Sequence, residues 1–429
     1  MAGLNRQIPS SRLCAEHPLN WWQRVLLGLL LLGVVVYGLS LAMEANPSKV
    51  LQSSLQAGWN VLHDKGMYDE QTRVYRGPPL MAIAAVPFSH SSAEIKDSAT
   101  VPYPLTRALW FFVNVLCFWL ATHWLVNLLN ASVGNVPPQR WWLHRLLPPL
   151  LLVIPLADSL HSGFADGVLM LVIASLLVTL VRRQFFASGL ALAAAVCLQF
   201  TSVILVFIPI WRRDRMMPLG MITGLLFTLV LLPGLMFGLQ GTNRLNEQYV
   251  SVIKKNAFDD QHSPSLIGVI KQGISESSST RDQWAIALAV LTLVLLTVLT
   301  CGLMGFGEEH DPQRLIHFIG ALLTIMLLAH PQPALHSCTL LLPSLIGILG
   351  VLWNPTTTHR TKSILTVCMA IVFVLITLPP QPSLFPLTGV IVCWLVNIFM
   401  LYHSSPARQN QLMSLNSPLA VTSTLSQAA

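Results

Sequence analysis

Apolar runs of about twenty residues, most of them closed by Arg, Lys or Trp, alternate along the chain with shorter polar stretches. At about 1.5 Å per residue, such a run is long enough to cross a hydrocarbon core of about 30 Å. The pattern predicts membrane helices over 25–43, 105–129, 167–181, 217–239, 284–305, 315–329, 335–353, 362–379 and 384–402. A shorter apolar piece, 146–157, precedes an interruption, DSLHSGFAD, that carries Asp158 and Asp166. The fold class that follows is all-α, a polytopic transmembrane helical bundle.

One segment resists a straight span. Residues 188–211 are flanked by Arg182 and Arg183 before and by Arg212, Arg213 and Arg215 after, and the positive-inside rule places both flanks on one side. Gln199, Thr201 and Ser202 break the apolar run midway. We therefore expect a re-entrant pair of half helices with a polar tip inside the bundle, giving about 10–12 membrane segments in all. The alternative is one span with exposed arginines outside.

With Arg140, Arg145, Arg182, Arg183, Arg314, Arg360, Lys362 and Arg408 inside, both termini are cytoplasmic. The expected organisation is a tail over 1–21, a membrane domain over 22–403 and a disordered tail over 404–429, with outer loops 44–104 and 241–283. The first tail has no convincing cleavage pattern.

Composition agrees: 53% of the 429 residues are hydrophobic and 10% charged, and the mean hydropathy is +0.62. A soluble domain of this size does not keep that balance. The net charge of +7 lies scattered at the ends of apolar runs, so nucleic acid is not an expected partner. The seven cysteines and the lone His123 and His317 sit mostly in apolar surroundings and read as packing residues, and no metal site or cofactor is expected. No Walker loop, HExxH, paired CxxC or dinucleotide fingerprint occurs.

The chemistry concentrates in GWNVLHDKGMYDEQTRVYRGPPLMAIAAVPF, residues 58–88, which gathers His63, Asp64, Asp69, Glu70, Arg73 and Arg76. Candidate carboxylates are Glu44 after the first span, Asp64 and Asp69 in this stretch, and Asp158 and Asp166. A carboxylate at mid-membrane costs roughly 2.5–3.5 kcal/mol, so the last two should face a cavity or a partner if they lie at that depth. Trp59, Tyr68 and Tyr75 can stack on sugar faces or anchor at headgroup level. Arg73, Arg76, Arg244, Lys254 and Lys255 can hold phosphate. Plainer roles stand beside these: an interfacial Glu44, a turn at Gly66–Asp69, solvated loop arginines.

The ordered set of motifs resembles glycosyltransferase family 87, polytopic enzymes of GT-C type that include polyprenol-phosphate-mannose-dependent mannosyltransferases. Gly66, Met67, Tyr68 and Asp69 look like its LYD turn, and Tyr75 to Pro87 looks like its Pro-Pro-Leu element. Arg107–Trp110, Gly163–Asp166, the segment GLALAAAVCLQFTSVILVFIPIWRRDRM, HSPSLIGVI and HPQPALHSCTLLLPSL follow in the family's order. The resemblance implies a GT-C bundle in the plasma (inner) membrane. It also implies transfer of a hexose such as mannose from a polyprenyl-phosphate donor to a lipid or glycan acceptor at the outer face. His336 and Gln199 fall on family positions and join the substrate-binding candidates. The family's catalytic aspartate, some twenty residues before the LYD turn, has no counterpart among Pro47, Ser48, Lys49 and Val50. Gln199 stands for its lysine, Phe164 for a glutamine and Ala334 for a tryptophan. Two other readings follow: a family-like protein that binds lipid or glycan without catalysis, and a transporter.

Overall fold

The computed structural model describes residues 20–44, 48–63, 67–68, 75, 77–89, 102–133, 138–258, 266, 269–270, 278–305, 311–330, 335–354, 357–377 and 384–403. Every regular element among them is helical. The first part of the chain forms α1 (Trp21–Met43), α2 (Lys49–Leu62), α3 (Pro79–Ala85) with a 3₁₀ turn at Val86–Phe88, and α4 (Tyr103–Val133). Then come α5 (Pro138–Leu151), α6 (Val153–Ser162), α7 (Asp166–Val181), α8 (Phe185–Leu198), a 3₁₀ stretch Phe200–Val206, α9 (Phe207–Arg212) and α10 (Met216–Leu226). A π turn at Phe227–Leu231 leads into α11 (Leu232–Phe258), and α12 (Ser278–Met304) and α13 (Pro312–Ala329) follow. A second 3₁₀ stretch, Leu335–Leu341, opens α14 (Leu342–Trp353), and α15 (His359–Thr377) and α16 (Leu384–His403) close the described chain.

Seven of these segments are long and apolar enough to cross a membrane, or eight if the bent pair α5–α6 is one span. Shorter apolar helices, α7, α8, the Phe200–Arg212 stretch and the end of α16, pack among them and complete the expected set. α13 and the Leu335–Trp353 span form the centre, with 83% and 89% of their apolar windows buried. α1 instead shows Leu29, Leu31, Leu32 and Val36 outward, the face of a helix solvated by lipid. Between helices in lipid the attraction is van der Waals packing and hydrogen bonding. Small and polar residues therefore sit at the contacts. Asn397 donates to Ser344 Oγ at 2.9 Å, and its Oδ1 lies 3.0 Å from His317 Nδ1, joining α13, α14 and α16.

The expected hairpin is present. Gln199 leaves the helical region (φ −146°, ψ 115°) and divides α8 from the returning stretch. The two ends meet, with the Arg212 guanidinium 5.2 Å from the centre of the Phe185 ring. α10 then runs parallel to α8: an added Cβ on Gly220 would meet Phe186, one on Gly224 would meet Ala193, and Cys197 Sγ lies 2.9 Å from Thr228 Oγ1. Fourteen residues of α8 rise only about 21 Å, less than a hydrocarbon core. The turns at both ends place arginines in the left-handed region, Arg183 at φ 59° and Arg213 at φ 55°. For a residue with a Cβ that conformation costs roughly 1–2 kcal/mol. Cysteine-reactive reagents should label Phe185→Cys and Arg213→Cys from the same face of the membrane. Labelling from opposite faces would mean a single full span.

Three expectations change. The interruption after residue 157 is mostly helix: α6 runs through Ser162, and the chain breaks only at Gly163, a left-handed cap (φ 80°). The bend lies earlier, 61° at Leu152, where Pro148 and Pro149 deny the helix two N–H donors. The segment expected as a loop over 44–104 contains α2 and α3, packed on each other. The loop expected at 241 begins as helix, because α11 kinks at Gly238 (φ 69°) and continues to Phe258, setting Leu245 and Tyr249 against Tyr68.

Candidate functional site

The bundle has two chemically different ends. α7 starts at Asp166 and finishes beside Arg182 and Arg183, so about 24 Å of helix separates an acidic end from an arginine end. At the acidic end, side chains from α1, α4, α6, α7 and the 3₁₀ stretch before α14 converge.

Glu44 caps the C-terminus of α1 and accepts a 2.9 Å hydrogen bond from Arg107 Nη2 on the first turns of α4. The guanidinium is 4% exposed and the carboxylate 35%. His161, on the last turn of α6 and 54% exposed, brings Nδ1 to 3.7 Å from the same carboxylate. One helical turn earlier, Asp158 Oδ2 accepts the backbone N–H of His336 at 3.1 Å, and its side chain is 39% exposed. The Phe164 ring stacks on the His336 ring at 3.5 Å and 10°. Where the family resemblance expects a glutamine, this chain therefore fastens the turn by aromatic stacking. Asp166 is nearly buried and accepts a hydrogen bond from Ser159 Oγ at 2.7 Å. Gly167 lets α7 approach α4, since a Cβ there would stand 2.2 Å from the Asn114 carbonyl oxygen.

An apolar cavity of about 230 Å³ adjoins this cluster. Leu51 and Leu55 of α2, Met81 and Phe88 of the α3 segment, and Leu109 and Trp110 of α4 line it, and it ends at Gly163. Trp110 Nε1 donates to the Gly163 carbonyl at 3.0 Å, so one residue joins the apolar wall to the turn between Asp158 and Asp166.

The other candidates lie elsewhere. Tyr68 and Tyr75 are 8% exposed and donate to the carbonyls of Gly77 and Pro78 at 2.8 and 2.6 Å. Burial pushes both phenols up, Tyr249 adding to the effect, so they stay protonated donors at any ordinary pH. They build a wall with Met67, Ala82 and Leu245. Arg244 stands exposed on α11 beside that wall. Gln199 marks the hairpin tip. Asp64, Asp69 and Arg76 lie outside the described residues, as do Glu70 and Arg73, and so do the side chains of Lys254 and Lys255.

A family model, glycosyltransferase family 87, matches residues 75–331, more than half of the chain. The chain belongs to glycosyltransferase family 87. A comparison with curated proteins finds no match. Membership makes this a glycosyltransferase of the membrane, with a sugar donor and an acceptor as its substrates. The family 87 match includes Arg107, Asp158, Asp166 and the hairpin, but Glu44 and His336, which complete the acidic end, fall outside it.

Arg107 and His161 were not candidates in the sequence. Arg107 sits one turn inside an apolar helix, where it reads as an interfacial anchor; its partner is 63 positions away. Glu44→Gln leaves a nearly buried guanidinium without its carboxylate, and we expect a loss of roughly 1–3 kcal/mol in stability. Arg107→Gln in the same chain should recover part of it. A thermal melt of the single and double variants in detergent decides; strictly additive losses would show that the pair is not coupled.

Proposed function

We propose that this chain transfers a hexose, such as mannose, from a polyprenyl-phosphate donor to a lipid or glycan acceptor. Transfer takes place at the acidic end of the bundle, facing the outer side of the plasma membrane, with both termini cytoplasmic. One observation carries the reading: three carboxylates, a buried arginine and two histidines from five elements converge beside an apolar cavity. A polyprenyl chain suits that cavity, and a phosphate suits the cationic groups at its polar end.

In the proposed step, Asp158 accepts the proton of the acceptor hydroxyl as its oxygen forms the new bond to the anomeric carbon. The bond from that carbon to the phosphate oxygen breaks with inversion, and polyprenyl phosphate leaves with the electron pair. Asp158 is the best base because it is open to solvent while His336 N–H fixes one of its oxygens. Glu44 is tied to Arg107, and Asp166 is buried. Glu44 then holds Arg107, Arg107 supplies positive charge for the departing phosphate, and His161 offers it a hydrogen bond. Tyr68 and Tyr75 brace the wall, while Gln199, Arg244 and Arg76 remain candidates for donor or acceptor contacts.

The test is transfer of labelled hexose in membranes that hold the chain, given either polyprenyl-phosphate hexose or a nucleotide sugar alone with lipid-phosphate synthesis blocked. Transfer from the nucleotide sugar in the blocked membranes would sink the proposal. A second reading, donor binding without catalysis, draws on Pro47–Val50 and Gln199 standing where the family carries an aspartate and a lysine. It requires retained donor binding with no transfer.

A further inference from the structure

The arginine end is more than a topological signal. The turn after α7 carries Arg182 and Arg183, and α9 ends at Arg212 with Arg213, Asp214 and Arg215 in the turn that follows. Asp214 Oδ1 accepts the Met216 N–H at 2.8 Å, and its charge also acts on Arg212. Topology needs only that such charges stay on one side of the membrane. Here the hairpin closes the two turns onto each other, with Arg212 over the Phe185 ring at 5.2 Å. Both turns also hold an arginine in the left-handed conformation.

Beside them lies a shallow, open hollow lined by Arg183, Gln184, Phe185, Phe186, Ala187 and Met216. Its floor is apolar: Phe186 and Met216 are 41% and 57% exposed. Its lining is cationic at Arg183, and the Arg212 guanidinium stands 5.2 Å from the ring of Phe185, another lining residue. The arginines before and after the hairpin are the residues expected at a membrane–water boundary, and the hollow lies beside them at the start of α8.

We propose that the hollow binds one anionic glycerophospholipid from the leaflet at the arginine end. Its headgroup phosphate meets Arg183 and Arg212, and the first carbons of its acyl chains lie on Phe186 and Met216. Guanidinium groups match a phosphate in charge and fork geometry, and the apolar floor selects a lipid over a soluble anion. The inference is independent of the transferase reading, because it uses none of the residues at the acidic end.

Native mass spectrometry of the purified full-length chain in detergent tests it, with phosphatidylglycerol, phosphatidylcholine of the same acyl chains, and inorganic phosphate as probes. Phosphatidylglycerol should bind roughly tenfold tighter than phosphatidylcholine, and the Arg183→Gln, Arg212→Gln double variant should lose that preference. Arg360→Gln with Lys362→Gln, which removes as much charge from another segment of the same end, should leave it intact. Phe186→Ser keeps every charge and changes an exposed floor residue, so it should fold and still bind several-fold more weakly. Equal losses from the two charge-removing pairs would reduce the site to bulk charge. Wild-type binding by Phe186→Ser, or displacement of the lipid by inorganic phosphate, would overturn the lipid assignment.

Discussion

Asp158→Asn is expected to cut glycosyl transfer by about 10²- to 10⁴-fold without loss of folded protein, the range that removal of a general base produces. The amide keeps an oxygen to accept the His336 N–H, so the turn between α6 and α7 and the stack of Phe164 on His336 have no reason to move. What disappears is the proton acceptor. The comparison that gives the experiment its meaning is with the other two carboxylates of the cluster. Asp166→Asn keeps an acceptor for Ser159 Oγ inside a buried contact, and its effect on transfer should stay within about tenfold. Glu44→Gln should act mainly through Arg107 and lower stability before it lowers the chemical step. Transfer rates per folded protein, measured with polyprenyl-phosphate hexose, separate the three. If Asp158→Asn keeps more than about a tenth of the activity while Glu44→Gln abolishes it, the base is Glu44 and the role given to Asp158 is wrong.

The membrane helices were legible because their signal is local. An apolar run of sufficient length closed by arginine or tryptophan needs no partner to be recognised, and the hairpin declared itself through arginines at both ends and Gln199 between them. α2 was not legible in the same way. Gln52, Ser53, Ser54 and Gln56 give Lys49–Leu62 the look of a loop, although Leu51 and Leu55 are buried with Tyr103 of α4 and Val61 is buried with Ala82 of α3. The site was legible as residue types but not as an arrangement. Asp158 and the backbone N–H it accepts are 178 positions apart, and Glu44 and Arg107 are 63. No periodicity reports such pairs, because they exist only once the bundle has brought its ends together. The charge-dense stretch 58–88 attracted most of the sequence argument. Where it is described it supplies helix ends, a buried tyrosine pair and one wall of the apolar cavity.

The packing of α10 on the hairpin depends on two glycines more than on any charged residue, and Gly220→Leu is expected to leave little folded protein. α8 and α10 touch backbone to backbone: a Cβ on Gly189 would lie 2.1 Å from the Met217 carbonyl oxygen, and one on Gly220 would lie 2.1 Å from that of Phe186. Neither obstacle is the tip of a flexible side chain that can swing away. The helices must separate, and with them go the contact of Ala193 with Gly224 and that of Cys197 with Thr228. In lipid this packing is the attraction itself, since no water is released to compensate. Overpacking typically costs 1–3 kcal/mol at one core site; here a leucine meets rigid backbone, so a loss of about 3 kcal/mol or more is expected. Gly28 and Gly33 on α1 are the controls, because a Cβ at either finds nothing within 4 Å. Alanine there should be neutral or stabilising by up to about 1 kcal/mol, as alanine favours a helix over glycine. The yield of monodisperse protein and its melting temperature in detergent give the answer. If Gly220→Ala melts with Gly28→Ala, the two helices are not held by backbone contact and α10 is kept on the hairpin by its side chains instead.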